Sequence, residues 1–381
     1  MNLALIHDGI FCKGGAERVL LNMHKAFPEA PIYTSIYDPN NSYPEFKECD
    51  IRTSWLQYIL KTEKAYKNTF IFLGIGAMKS HDLSKYDIII CSTTHSAKYV
   101  KTDNKSLLIN YCYTPFRLAW NPNSYMRYEK SRGINRFIFD KIITYLKKID
   151  YKYAQRANKY IAMTPETAER IKKHYHVSSK IEIINPSIDT NKYFISENIE
   201  DYYLVVSRLE KYKNVDLAIK AFNKICKPLK IVGSGMEEEN LKKKANTNIE
   251  FLGDVTHQEL FELYSKCKAL IFPQHEDYGL TPLEANASGR PVIAYCHGGI
   301  KTTMIPYNNN KKEDPFTAVF FSEKNIDSLI NGILTFEKLD VDSIFIRKNA
   351  ERFDDSYFIN QIKSFVKKEY YYFKNNYKDH Q

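Results

Sequence analysis

The sequence predicts an α/β protein made of two doubly wound domains with parallel sheets, and three observations carry this. The chain has 381 residues, too long for one ordinary core and suited to two α/β domains. Hydrophobic residues make up 44% of it, which excludes a disordered chain and supplies sizeable cores. Short apolar runs alternate with amphipathic stretches of helical period along most of the sequence, the pattern of strands joined by crossover helices.

In the first half, strands are expected at 3–6, 32–35, 88–91, 107–111, 160–162 and 181–184, with helical stretches at 16–26 and 137–156. The second half repeats the scheme, with strands at 203–206, 230–232, 250–252, 269–272, 291–294 and 318–320. Helical patterns fall between them at 215–225, 236–244, 256–266 and 282–288. A polar break containing Pro186 lies at 185–200 and sets the boundary. The expected organisation is a first domain over 1–190, a second over 191–353, and a helical, Lys- and Tyr-rich tail over 354–381 that packs back on the first domain. Two such domains face a central cleft, and ligands bind outside the C-terminal ends of the strands.

Composition narrows the function classes. The seven cysteines are scattered, with no CxxC pair, so neither a zinc site nor thioredoxin-like chemistry is indicated, and no metal is expected. Free thiols fit a reducing cytoplasm. The opening residues lack a basic segment followed by a long apolar core, so no signal peptide is expected. No apolar run approaches the roughly 20 residues needed to cross a bilayer, so any membrane association is peripheral. The net charge is +10, and roughly all of the excess falls on residues 1–190. Such a face suits an anionic lipid or an acidic glycan, or is simply a solvated Lys-rich surface. No nucleic-acid-binding motif accompanies it.

The most informative segment runs from Gln274 to Ala285, between the strand at 269–272 and a helix. Pro282 suits a first helical turn. Gly279 lets a phosphate approach the backbone, and the amides of 280–283, including Leu280 and Thr281, form an anion site at the positive end of the helix. Glu276 and Glu284 bracket that site and can accept hydrogen bonds from sugar hydroxyls and a ribose diol. The same spacing has a plainer use, because Thr281-x-x-Glu284 is also a capping box.

This Glu-x7-Glu segment, with the Ala-Ser-Gly-Arg-Pro-Val-Ile-Ala-Tyr that follows and Gly298-Gly299, resembles the signature of glycosyltransferase family 4. The likeness covers nearly the whole chain. Gly14-Gly15-Ala16-Glu17-Arg18 is similar to the family's glycine loop. Ser92 to Lys98 and Cys112 to Trp120 resemble segments of the bacterial mannosyltransferase-like branch that builds O-antigen and other surface polysaccharides. The resemblance implies the GT-B fold, two Rossmann-like domains across a cleft. It also implies a retaining, metal-independent hexosyltransferase that uses a GDP- or UDP-linked sugar, with GDP-mannose as first reading.

Site roles follow from the same resemblance. Ser207 to Asn214 is similar to the family's Gly-Arg-Leu-x-x-x-Lys-Gly element, so Arg208 would fork onto the diphosphate and Lys213 would add a point charge. Fixed cations there stabilise the charge growing on the leaving nucleotide. Asn214 stands where the family has Gly. Gly233 and Gly235 resemble a loop near the nucleotide, although Gly-x-Gly alone is an ordinary turn. On the acceptor side, Gly14 and Gly15 open a helix and His95 follows a strand end. Tyr113 departs from the family branch, which has His at that place; a phenol bonds but carries no proton near neutral pH. The implied partners are the nucleotide-sugar, a lipid-linked oligosaccharide acceptor and the membrane surface, with no nucleic acid. Two other classes remain open: a nucleotide-sugar epimerase of the same fold, and a non-catalytic nucleotide or nucleic-acid binder.

Overall fold

The structure, a computed structural model, describes residues 2–60, 73–311 and 313–378. Residues 379–381 of the tail lie outside the described residues. The chain divides into two compact units. One contains the residues up to Asn185 together with those from Phe358 onward, and the other runs from Pro186 to Tyr357.

The first unit is a seven-stranded sheet in the order β3-β2-β1-β4-β5-β6-β7. Its strands are β1 (Leu3–His7), β2 (Ile32–Thr34), β3 (Ile51–Thr53), β4 (Ile88–Thr93), β5 (Leu107–Cys112), β6 (Lys159–Ala162) and β7 (Glu182–Ile183). All the pairings are parallel, with Leu3 opposite Ile88 and Ile88 opposite Leu107. Every residue of β1, β4 and β5 is buried, as a parallel sheet with both faces covered requires. That is why these segments read as continuous apolar runs.

The second unit is a six-stranded parallel sheet in the order β10-β9-β8-β11-β12-β13. Its strands are β8 (Tyr203–Val206), β9 (Leu229–Val232), β10 (Ile249–Gly253), β11 (Leu270–Phe272), β12 (Val292–Tyr295) and β13 (Ala318–Phe321). The helix Val215–Ile225 buries Leu217, Ala218, Ala221 and Phe222 in the same cluster as Ile231 and Ile271.

Both sheets reverse strand order once, between β1 and β4 and between β8 and β11. At such a reversal the loops leaving adjacent strands diverge and open a crevice at the strands' C-terminal ends.

Three differences from the sequence reading have physical causes. β3 was not expected; it is three residues long and only partly buried at the sheet edge, so it carries no apolar run. The helix Pro165–Tyr175 was also not expected, although Thr164 accepts from the Thr167 amide and Pro165 opens the first turn, a legible start signal. The helical stretch expected over 236–244 shrinks to Glu238–Lys242. The last helix, Asp355–Lys378, carries Phe358 against Tyr111 and Glu369 onto Lys159 at 2.9 Å, both within the first unit.

Candidate active site

In the second unit the loops leaving β9, β8, β11 and β12 are knitted together by backbone hydrogen bonds. Leu209 N–H donates to Ser234 O at 2.8 Å, and Glu237 N–H returns to Leu209 O at 2.9 Å. Gly299 N–H donates to Glu276 O at 2.9 Å. Gly233 has φ +122, and a side chain there would run into the Ser207 carbonyl. Gly233 and Gly235 therefore serve close packing of the β9 loop on the β8 loop.

On this scaffold Lys213 Nζ forms an ion pair with Glu276 Oε1, joining the β8 loop to the β11 loop. The pair is partly buried, with 12% and 22% of the two side chains exposed. Arg208 Nη2 donates to Tyr212 Oη at 2.8 Å, and Lys213 Nζ lies 5.2 Å from the Tyr212 ring centre. The structure thus brings Arg208 and Lys213 to one tyrosine and joins Glu276 to them through Lys213.

Two residues the sequence reading left without a role touch the two motif glutamates. Gln274 is 2% exposed, and its Nε2 approaches Glu276 Oε1 at 3.5 Å. It sits inside the motif, so its place was the available signal. Tyr264 donates to Glu284 Oε2 at 2.8 Å; it lies on the helix His257–Lys266, and nothing in the sequence ties it to Glu284.

The capping-box alternative is not what forms. The helix is Thr281–Ala287, its cap position is Leu280, and no side chain caps it, so Thr281 is already inside the first turn. Glu284 N–H donates to Leu280 O at 3.0 Å. Pro282 has no N–H, so the leading turn offers the amides of Leu280, Thr281 and Leu283. Gly279, with φ +89, turns the chain into this helix through a conformation that other residues resist. Asn214 has φ +53. That left-handed conformation explains how Asn can stand where the family has Gly.

The first unit has a different arrangement at its reversal. Asp8, just past β1, is 5% exposed. It accepts from the amides of Thr94 (2.6 Å), His95 (3.1 Å), Ser96 (2.7 Å) and Ala97 (2.6 Å), and from the hydroxyls of Thr93, Thr94 and Ser96. Burial pushes its carboxyl up, but the His95 and His7 imidazoles and the Thr94 amide and hydroxyl outweigh that and hold it well below the usual carboxylate range. Burial lowers the His95 imidazole, partly opposed by Asp8, whose Oδ1 lies 3.6 Å from Nδ1. The next turn is anchored by Lys98, which pairs with the fully buried Asp150 at 2.7 Å. Asp150 also accepts from Trp120 Nε1 and Tyr175 Oη, each at 2.8 Å.

Tyr113 is 6% exposed. Its hydroxyl donates to Ala16 O at 3.1 Å and meets Ser92 Oγ at 2.9 Å; Ser92 Oγ in turn lies 2.9 Å from His7 Nδ1. With the phenol proton on Ala16, Ser92 must donate to Tyr113 and His7 Nδ1–H to Ser92. Burial raises the Tyr113 phenol far above its ordinary range. The structure therefore joins Tyr113 to the turn after Gly14 and Gly15, which opens the helix Gly15–Ala26, and joins His95 to Asp8. The first-turn Glu17 carboxylate folds back against Gly14, where Cys12 Sγ meets it at 3.2 Å.

Comparison with known proteins assigns both halves. Residues 13–192 match the family model Glycosyltransferase Family 4, and residues 189–354 match Glycosyl transferases group 1. Alpha-1,3/1,6-mannosyltransferase ALG2 of Dictyostelium discoideum is 21% identical over 97% of this chain and 98% of its own length. O-antigen chain mannosyltransferase RfbU of Salmonella typhimurium is 27% identical over 51% of this chain and 59% of its own. Among solved structures, Anabaena HepE in complex with UDP superposes with a TM-score of 0.70 at 16% identity, covering 97% of this chain and all of that one. Sucrose-phosphate synthase of Thermosynechococcus elongatus gives 0.72 at 15% identity, covering 97% and 99%. Both share the GT-B fold with this chain.

Proposed function

This chain belongs to the glycosyltransferases that join a family 4 domain to a group 1 domain, and we propose that it moves mannose from GDP-mannose, with retention, onto a lipid-linked oligosaccharide or surface-polysaccharide acceptor. It is a hexosyltransferase. The names of the full-length ALG2 relatives and of RfbU support mannose as the sugar. UDP-linked hexoses are the competing donors, since HepE was solved with UDP and with UDP-glucose.

The observation that carries the site assignment is the Lys213–Glu276 pair at the β8–β11 reversal. In the reaction the bond from the sugar's anomeric carbon to the phosphate oxygen breaks as the bond to the acceptor oxygen forms on the same face. The acceptor proton passes to the leaving phosphate oxygen, so no protein base is required. Arg208 and Lys213, with the leading amides of the helix Thr281–Ala287, hold the departing diphosphate. This is electrostatic stabilisation without a metal. Glu276 takes the hydroxyls of the donor sugar, and Glu284, steadied by Tyr264, takes the ribose diol. Gly14, Gly15 and His95, in the first unit, are the proposed acceptor-binding residues, and Tyr113 holds the glycine turn through Ala16 O. The proposed location is the cytoplasm, with peripheral contact at the cytoplasmic face of the membrane. No helix among the described residues is long and apolar enough to cross it.

The test is to incubate the protein with a panel of GDP- and UDP-sugars and measure nucleotide release with and without acceptor. Acceptor-dependent GDP release, unchanged by EDTA, is expected. Conversion of a donor to its epimer without acceptor would instead assign the epimerase reading, and strict dependence on Mg²⁺ would remove the metal-free clamp.

A further inference from the structure

The helix Gly133–Ala154 in the first unit has two opposed faces. One is buried, with Ile143, Leu146, Asp150 and Ala154 turned inward. On the other, Ile134 is 69% exposed, Phe137 57%, Ile138 50% and Tyr145 60%. At 3.6 residues per turn these four fall within an arc of about 100°, and Lys141 and Lys148 fall in the same arc. Isolated exposed apolar residues need no explanation, but four on one helical face with interleaved cations do.

Charge decides what would cover this face. The helix carries Arg136, Lys141, Lys147, Lys148 and Lys152 against two acids. Of those acids, Asp150 is sealed inside, paired with Lys98. Asp140 accepts from Tyr128 Oη at 2.7 Å and pairs with Arg136 at 3.3 Å. The outward face therefore presents apolar side chains and lysines that pair with no carboxylate among the described residues, Lys141 Nζ lying 5.3 Å from the Phe137 ring centre. A bilayer interface with anionic headgroups matches both features, because the apolar groups enter the acyl boundary while the lysines meet the phosphates. A second copy of this chain would bring the same positive charge to the contact.

We propose that the outward face of the helix Gly133–Ala154 docks the protein on an anionic lipid surface, with Ile134, Phe137 and Ile138 inserted and Lys141 and Lys148 at the headgroups. The inference goes beyond the transfer reaction. It is read without donor or acceptor, so it stands or fails separately from the proposed chemistry.

The experiment is co-sedimentation of the full chain with vesicles of phosphatidylcholine alone or mixed equally with phosphatidylglycerol. Binding to the mixed vesicles is expected, weakened by added salt. The double variant Phe137→Ser/Ile138→Ser and the double variant Lys141→Glu/Lys148→Glu should each lower that binding by roughly tenfold or more. Because all four side chains are exposed, the thermal melts should coincide with the parent's. Tyr371→Ser/Tyr372→Ser, exposed positions on the last helix, should bind as the parent does. Equal partition of parent and both helix variants overturns the proposal, as does loss of binding only in the tail variant. A parent dimer that Phe137→Ser/Ile138→Ser converts to monomer assigns the face to a second copy and overturns it as well.

Discussion

The two strand-order reversals share one geometry and use it in opposite ways. Between β1 and β4 the charged group is an aspartate sealed by four amides and three hydroxyls. Between β8 and β11 the charged groups are Arg208, Lys213 and Glu276, on side chains still open to solvent. A carboxylate with all its acceptor capacity filled is a structural latch. A pair with room for another hydrogen bond can exchange partners with a ligand. The comparison teaches that position at a reversal marks where a site can be, and that residual hydrogen-bonding capacity distinguishes the half proposed to bind the diphosphate from the half that is latched.

The largest effect that could break this contrast is on turnover. Lys213→Ala and Arg208→Ala should each reduce nucleotide release roughly 10²–10³-fold, with the unfolding midpoint nearly unchanged. A wild-type rate in Arg208→Ala would remove the clamp. Glu276→Ala should also reduce turnover strongly, because it loses the donor's hydroxyl contacts and frees Lys213 from its partner.

Asp8→Asn tests the other half through stability. It replaces one acceptor oxygen by a donor facing amide donors, so a loss of roughly 3 kcal/mol is expected in urea unfolding at neutral pH. The pH dependence has a definite sign. A carboxyl held below its unfolded value contributes stability above roughly pH 4, and that contribution is lost as the pH falls through the folded value. Parent stability should therefore drop on acidification below about pH 4, and the variant should drop less. Parallel acid limbs in both proteins would mean that Asp8 is not the latch.

Smaller changes sharpen the contrast. Tyr113→Phe removes the acceptor of the Ser92 hydroxyl and the donor to Ala16 O, while Ser92 keeps His7; it should cost about 1 kcal/mol, with turnover near the parent's, and a clamp-sized loss of rate would move Tyr113 into the chemistry. Asn214→Gly should shift stability by less than about 1 kcal/mol, and Asn214→Val should cost more, because a β-branched residue resists φ +53.

Much of this was legible in the sequence. Twelve of the thirteen strands among the described residues coincide with expected runs, the central ones because strands buried on both faces must be apolar throughout. β3 escaped because an edge strand needs no such run. Arg208, Lys213 and Glu276 were singled out by their resemblance to the family's motifs, and they follow β8 and β11. Tyr264 and Gln274 were not, since their parts depend on which helix and which strand end come to lie beside Glu284 and Glu276.

By itself the sequence determined the alternating elements and the residue types placed after the strands, because period and side-chain chemistry are local properties. Only the tertiary structure decided that Asp8 is consumed by the backbone of residues 94–97, that Thr281 does not cap its helix, and that one side of the helix Gly133–Ala154 is left uncovered. Each of those outcomes rests on which distant groups pack together, and a hydrogen bond or a burial cannot be assigned until its partner has been brought beside it.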